Sequence, residues 1–129
     1  MRNARILVVE DDVLIRDAVD VILSQIGHQI TAVGTGELAV AQIGRVYPHL
    51  VLLDVKLPRM SGVDTLRAIR KEGYRMPILM LTGDRSAETV RDVMNSGGNG
   101  YILKPFEPAQ LVRRVTTALR DVTVQDSRP

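Results

Sequence analysis

Short unbroken apolar runs alternate with longer stretches of helical periodicity along almost the whole chain. Arg5-Ile6-Leu7-Val8-Val9 carries no polar interruption after its first residue, the pattern of a strand covered on both faces. From Val13 to Ile26 the apolar residues Leu14, Ala18, Val21, Ile22 and Ile26 recur at helical spacing, and Gly27 suits the C-terminal cap. Gln29 to Val33 predicts a second strand, Gly34-Thr35-Gly36 a turn, and Leu38, Ala39, Ile43 and Val46 the apolar positions of a second helix. His49 to Leu53 predicts a third strand, followed by a helix from Val63 to Glu72 with Leu66 and Ile69 inward, stopped by Gly73. Pro77 opens a fourth strand, Ile78-Leu79-Met80-Leu81. Ser86-Ala87-Glu88-Thr89 has the make-up of a helix cap with an acidic first turn; that helix gives way to Asn95-Ser96-Gly97-Gly98-Asn99-Gly100. Tyr101-Ile102-Leu103 is a fifth strand, and Glu107 to Asp121 a last helix with Leu111, Val112, Val115 and Leu119 on one face.

Strands that alternate with helices at this spacing imply right-handed βαβ crossovers, hence an α/β doubly wound domain with a parallel sheet and helices on both faces. Residues 1–122 form this one domain, and 123–129 a polar C-terminal tail. At 129 residues the chain suffices for a single core, and 45% hydrophobic with 25% charged residues excludes a disordered chain. No apolar run approaches the roughly 18 residues of a membrane span, and the short polar N-terminus is no signal peptide. Without cysteine, disulfides and thiolate metal sites are excluded, which fits a cytoplasmic location. The net charge of +2 is dispersed, and one Phe, three Tyr and no Trp offer no stacking platform; neither argues for nucleic acid.

In a parallel sheet the strand C-termini share one edge, where open α/β sheets bind ligands. Glu10 and Asp11 follow the first strand, Asp54 the third, Thr82 the fourth and Lys104 the fifth. Three carboxylates, a hydroxyl and an ammonium therefore line one shallow pocket. Converging carboxylates repel unless a cation neutralises them, and a few carboxylates completed by water and phosphate oxygens suit Mg²⁺ or a similar divalent ion such as Mn²⁺. A carboxylate is also a competent nucleophile at phosphorus, and phosphoryl transfer needs mainly in-line positioning and charge neutralisation.

These residues carry a resemblance. Ile6-Leu7-Val8-Val9-Glu10-Asp11, Leu53-Asp54 with Leu57-Pro58-Arg59-Met60-Ser61-Gly62, Leu81-Thr82-Gly83 and Tyr101-Ile102-Leu103-Lys104-Pro105-Phe106 stand in order at the right strand ends. From Arg5 to about Asp121 the chain resembles the receiver domain of two-component response regulators. The resemblance implies the flavodoxin-like five-stranded order 2-1-3-4-5 known for a chemotaxis regulator of this family. It implies that Asp54 accepts a phosphoryl group from a sensor histidine kinase or a phosphotransfer protein. Asp11 and Asp54 would ligate Mg²⁺ with the backbone carbonyl of Lys56, and Glu10 would act through water. Lys104 would pair with the phosphoryl oxygens, with a cis peptide at Lys104-Pro105. Thr82 and Tyr101 would switch together, read out near the fourth helix, fifth strand and last helix by a downstream effector or a C-terminal output domain; a homodimer is compatible with this. Such a domain catalyses its own phosphorylation and dephosphorylation without being a metabolic enzyme.

Other expectations concern the residues around this constellation. Asp12 reads as the cap of the first helix. Lys56 and Asp84 lie two residues past Asp54 and Thr82 and are expected to approach each other over the site and hinder hydrolysis of the acyl phosphate. Phe106 is expected either to pack down or to form a kinase-docking surface with Ile15 and Val19. His28 and His49 read as surface residues at strand entrances, and the glycines from Gly97 to Gly100 as a mobile loop. An aspartyl-nucleophile hydrolase would need an acid at position 56, where Lys56 stands. A flavin or nucleotide binder would need a phosphate cradle after the first strand, where Glu10-Asp11-Asp12 repels phosphate. An interaction module that works without phosphorylation is the remaining alternative.

Overall fold

The computed structural model of the chain describes residues 3–125. Its elements run β1 (Arg5–Val9), α1 (Val13–Gln25), β2 (Gln29–Val33), α2 (Gly36–Val46), β3 (Leu50–Asp54), α3 (Gly62–Lys71), β4 (Ile78–Thr82), α4 (Ala87–Asn95), β5 (Gly100–Leu103) and α5 (Pro108–Gln125). All strand pairs are parallel, in the order β2-β1-β3-β4-β5. This is the flavodoxin-like order expected above.

The unbroken apolar runs are explained by helices on both sides of the sheet. Successive side chains of a strand point to opposite faces. Ile6, Val8, Leu50, Leu52, Leu79, Leu81 and Ile102 pack with Val19 and Leu23 of α1 and with Leu111, Val115 and Leu119 of α5. Leu7, Val9, Val51, Leu53, Ile78 and Met80 pack on the other side against Ala39 and Ile43 of α2, Leu66 and Ile69 of α3 and Val93 of α4. Each fully buried Leu or Ile contributes about 1.5–3 kcal/mol. Four helices begin at side-chain caps, Asp12, Thr35, Ser61 and Ser86, whose oxygens accept from backbone N–H groups of the first turn.

Several expectations change. In α1 the buried positions are Val19 and Leu23, with Ile15 and Ile22 partly buried, whereas Leu14, Val21 and Ile26 are exposed. The helical period was right, but apolar residues on two sides of the helix left its inner face ambiguous. Leu38 of α2 is exposed for the same reason. β3 and β4 each extend one residue further than expected, so that Asp54 and Thr82 are themselves strand residues; Asp54 stands in register with Leu81. α5 continues through Gln125 and takes in the first three residues of the expected tail, while residues 126–129 lie outside those described.

The two histidines are not surface residues. His28 is buried, and its Nδ1 accepts a hydrogen bond from the Ala4 N–H at 3.1 Å. Half-buried His49 accepts through Nδ1 from the Arg5 N–H at 3.0 Å. Each satisfies a backbone donor at the entrance of β1, which would otherwise be stranded.

Burial lowers the pKa of His28 from its ordinary 6.5. Its neutral form, the acceptor, therefore stabilises the fold above about pH 6.5, and that contribution is lost as the pH falls from there through the lower folded-state value. We expect His28→Leu to cost about 1–3 kcal/mol at pH 8 by orphaning the Ala4 N–H, and to remove part of the acid-side fall in stability. Urea unfolding midpoints across that range check this; an unchanged acid limb in the variant would refute the assignment.

Candidate functional site

Register and parity build the site. Val9 pairs with Leu53, so Glu10 and Asp54 are the next residues in line at the C-terminal edge of two neighbouring strands. Both continue the series that faces α1 and α5 (Ile6, Val8; Leu50, Leu52), and Lys104 continues it from Ile102. The three side chains consequently meet: Lys104 Nζ lies 2.6 Å from Glu10 Oε1 and 3.3 Å from Asp54 Oδ2. Glu10 is fully buried and Asp54 nearly so, at 5% exposure, while Asp11 is exposed. Glu10, Asp11 and Asp54 each offer a carboxylate oxygen, all within 4.8 Å of one another.

The electrostatics are those of an under-neutralised cluster. Three carboxylates face one ammonium, and among the described residues Glu10 Oε1 meets no donor except that ammonium. Burial pushes the Glu10 carboxyl above its ordinary 4.5, and the Asp54 carboxyl pushes the same way; Lys104 and the Asp12 N–H, which donates to Oε2 at 3.2 Å, pull it down without cancelling this. Burial disfavours the Lys104 charge, but its bond to Glu10 and the field of Asp54 outweigh this and raise its pKa. The donor set is hard oxygen with excess negative charge, so the residues present fit a divalent cation of the Mg²⁺ type.

Around this core the loops supply backbone. The Lys56 N–H donates to Asp54 Oδ1 at 3.2 Å. Gly62, the first residue of α3, packs so closely on the Asp54 carbonyl and Val55 that a Cβ there would overlap them; no other residue allows α3 to start so near the site. The Lys104-Pro105 peptide is cis. Thr82, only 3% exposed, follows the opposite parity, and its Oγ1 accepts from the Asp84 N–H at 2.9 Å.

The expected pairing of Lys56 with Asp84 does not form. Asp84 Oδ1 accepts from the Ser86 N–H at 2.8 Å and Oδ2 from the Thr89 hydroxyl at 2.7 Å, so this carboxylate secures the start of α4. Those bonds, led by Thr89, lower its pKa, and Lys56 is the smallest contributor. Lys56 itself is exposed. The docking group also changes, because Val19 is fully buried and Ile15 and Phe106 pack partly against the core. Tyr101 is half-buried beside a shallow groove of about 440 Å³, bordered by Val90, Met94, Leu103 and Arg114. The tight Lys104–Glu10 contact escaped the sequence reading, although the shared parity of positions 10, 54 and 104 signals it once the register is known.

A five-stranded doubly wound domain with acids, a hydroxyl and a lysine at its strand ends defines a class, the flavodoxin-like α/β fold. Comparison narrows it. The family model of the response regulator receiver domain matches residues 6–116, and the chain belongs to this family. It is 39% identical over 116 residues to the DNA-binding response regulator MtrA of Mycolicibacterium paratuberculosis, covering 90% of this chain and 51% of that protein. To the probable transcriptional regulatory protein TcrX of Mycobacterium tuberculosis it is 38% identical over 124 residues, covering 95% and 53%. The chain thus spans about half the length of these curated relatives. Among solved structures, a CheY-like receiver domain protein of Methanospirillum hungatei superposes with a TM-score of 0.90 at 32% identity, covering 95% of this chain and 98% of that one. NtrX of Brucella abortus superposes with a TM-score of 0.88 at 34% identity, over 95% of this chain and 29% of that one.

Since three carboxylates oppose one ammonium, removing a charge relieves the fold. In cation-free buffer Asp54→Asn is expected to gain about 1 kcal/mol of stability, seen as a raised melting temperature. A lowered one would mean that Asp54 is held by attraction to Lys104 more than it is repelled by Glu10 and Asp11.

Proposed function

We propose that this receiver domain is a phosphoacceptor, with Asp54 as the nucleophile and a phosphohistidine of a sensor kinase or phosphotransfer protein as the donor. The observation that carries this is the meeting of Asp54, Glu10 and Asp11 within 4.8 Å, with Lys104 in contact with both buried acids. An Asp54 oxygen forms the bond to phosphorus as the bond from phosphorus to the donor imidazole breaks, and the imidazole leaves neutral after taking a proton. Mg²⁺ or Mn²⁺ would be held by Asp11, Asp54 and the Lys56 carbonyl, with Glu10 acting through water, and would supply the charge neutralisation that an anionic phosphoryl group needs beside these acids. Lys104 exchanges a carboxylate partner for a phosphoryl oxygen. Thr82 turns its hydroxyl from the Asp84 carbonyl to donate to the same group, and Tyr101 follows from the rim of its groove into the space released.

Output is then read from the surface of α4, β5 and α5, by an effector protein or by a domain of a longer regulator such as the DNA-binding relatives. Residues 1–122 act as the receiver unit, and the kinase approaches over the exposed Val13 and Leu14 at the start of α1, not over Val19. A cytoplasmic location follows from this reading; among the described residues no helix is long and apolar enough to cross a membrane. With Asp84 turned into the α4 cap, shielding of the acyl phosphate from water falls to Lys56 alone.

Incubation with a small phosphodonor and Mg²⁺ is expected to add one phosphoryl group by intact mass, stable in acid and labile in alkali, and absent from Asp54→Ala. Labelling that persists in Asp54→Ala, or that ignores chelation of the cation, sinks the reading; wild type that never labels favours the interaction module that works without phosphorylation. For the labelled protein, Lys56→Ala is expected to shorten the phosphate half-life by a few-fold, followed by loss of mass after desalting, and an unchanged half-life removes Lys56 from that role.

A further inference from the structure

The glycine-rich connection between α4 and β5, expected from its composition to be a mobile loop, makes hydrogen bonds at Ser96, Gly97, Gly98 and Asn99. One side chain bridges it to the last turn of α3. Arg70, half-buried in the last turn of α3, donates from Nε to the Gly97 carbonyl at 3.0 Å, from Nη1 to the Tyr74 carbonyl at 3.0 Å and from Nη2 to Asn99 Oδ1 at 2.8 Å. Asn99 in turn behaves as an extra rung of the sheet. Its Oδ1 also accepts from the Ile78 N–H at 2.8 Å, and its own N–H donates to the Ile78 carbonyl at 2.9 Å. Gly97 serves this contact, and Gly98 the packing beside it. Gly97, at φ +98°, lies against the Arg70 stem, where a Cβ would come within 3.0 Å of Cγ; a Cβ on Gly98 would reach 2.5 Å from Val93 Cγ1. Gly97 removes bulk where the Arg70 side chain crosses the chain, and Gly98 removes it where the connection passes Val93 of α4.

Position makes this matter. β5 is an edge strand of four residues, paired only with β4, and it separates Asn99 at one end from Lys104 at the other. An edge strand so short has little register of its own, and what holds its entrance sets where Lys104 emerges. We propose that Arg70 is a positioning residue: by stapling Gly97, Asn99 and Tyr74 together it fixes the register of β5 and so holds Lys104 against Glu10 and Asp54. Three acceptors at different directions require the planar fork of arginine; a lysine ammonium in the same place satisfies at most part of the set. The proposal rests on the phosphoacceptor reading only for the importance of Lys104, not for its geometry.

Two measurements on the whole chain, made without phosphodonor or divalent cation, test it. The first is amide exchange. Arg70→Ala is expected to speed exchange at Asn99 to Ile102 at least tenfold while the amides of β1 and β3 keep their rates. The second is acetylation of lysines by a water-soluble active ester, read by peptide mass, with the exposed Lys56 and Lys71 as internal references for Lys104. Lys104 is expected to react at least three-fold faster relative to those two in Arg70→Ala, and Arg70→Lys to behave like the alanine variant. Ile69→Val, a core truncation one residue away, controls for general destabilisation and is expected to leave the Lys104 ratio unchanged. Exchange that rises evenly over the sheet, a Lys104 ratio equal to wild type in Arg70→Ala, or full rescue by Arg70→Lys overturns the proposal. Failure of the phosphoacceptor reading would show instead as absent labelling at Asp54, which neither measurement uses.

Discussion

Two carboxylates, Glu10 and Asp54, are withdrawn from water at the end of a sheet whose remaining side chains are almost all hydrocarbon, and one ammonium answers both. Burial of a charge is costly unless it is paired, and here the pairing is incomplete because Asp11 adds a third negative group at the rim. The domain therefore carries a local electrostatic tension that its two apolar layers outweigh. The same tension makes the site receptive. Three hard oxygens already gathered together fit a divalent cation.

The rest of the architecture can be read as the means of holding that cluster in place. Five parallel strands bring every strand end to one edge, and the twofold alternation of side chains sends positions 10, 54 and 104 to the same side of the sheet. Thr82 has the opposite parity, which is why it bonds to the start of α4 and not to the acids. The Thr82 hydroxyl is bonded to Asp84, whose carboxylate in turn holds Ser86 and Thr89 at the cap of α4. Gly62 lets α3 begin against the backbone of Asp54. At the far end of α3, Arg70 reaches across to the entrance of β5. Helix α3 thereby touches both the strand that carries the acid and the connection that leads into the strand before the lysine.

Much of this was legible from residue order. Unbroken apolar runs announced a sheet covered on both faces, glycines and hydroxyl caps marked the helix ends, and charged residues directly after such runs marked the chemical edge. Those signals are local, because hydrophobic period and capping act within a few residues. The family resemblance supplied the strand order, which no local pattern contains.

What residue order left open is contact between distant segments. Leu14 and Val19 look alike in a helical pattern, and only packing on β1 and β3 shows that Val19 is core while Leu14 is exposed. His28 and His49 resemble surface residues until β1 lies beside them and offers N–H groups with no other acceptor. Asp84 stands close to Lys56 in the expected site, yet a nearby cap takes its oxygens first, since two short hydrogen bonds outweigh one exposed ion pair. The glycines before β5 imply freedom by composition, and the folded chain uses Gly97 for close approach to Arg70 and Gly98 for close approach to Val93. Local order dictated which elements form and where charge would gather, because those depend on neighbours in the chain; partner choice for each polar group waited on the fold, because it depends on which distant group arrives with the better geometry.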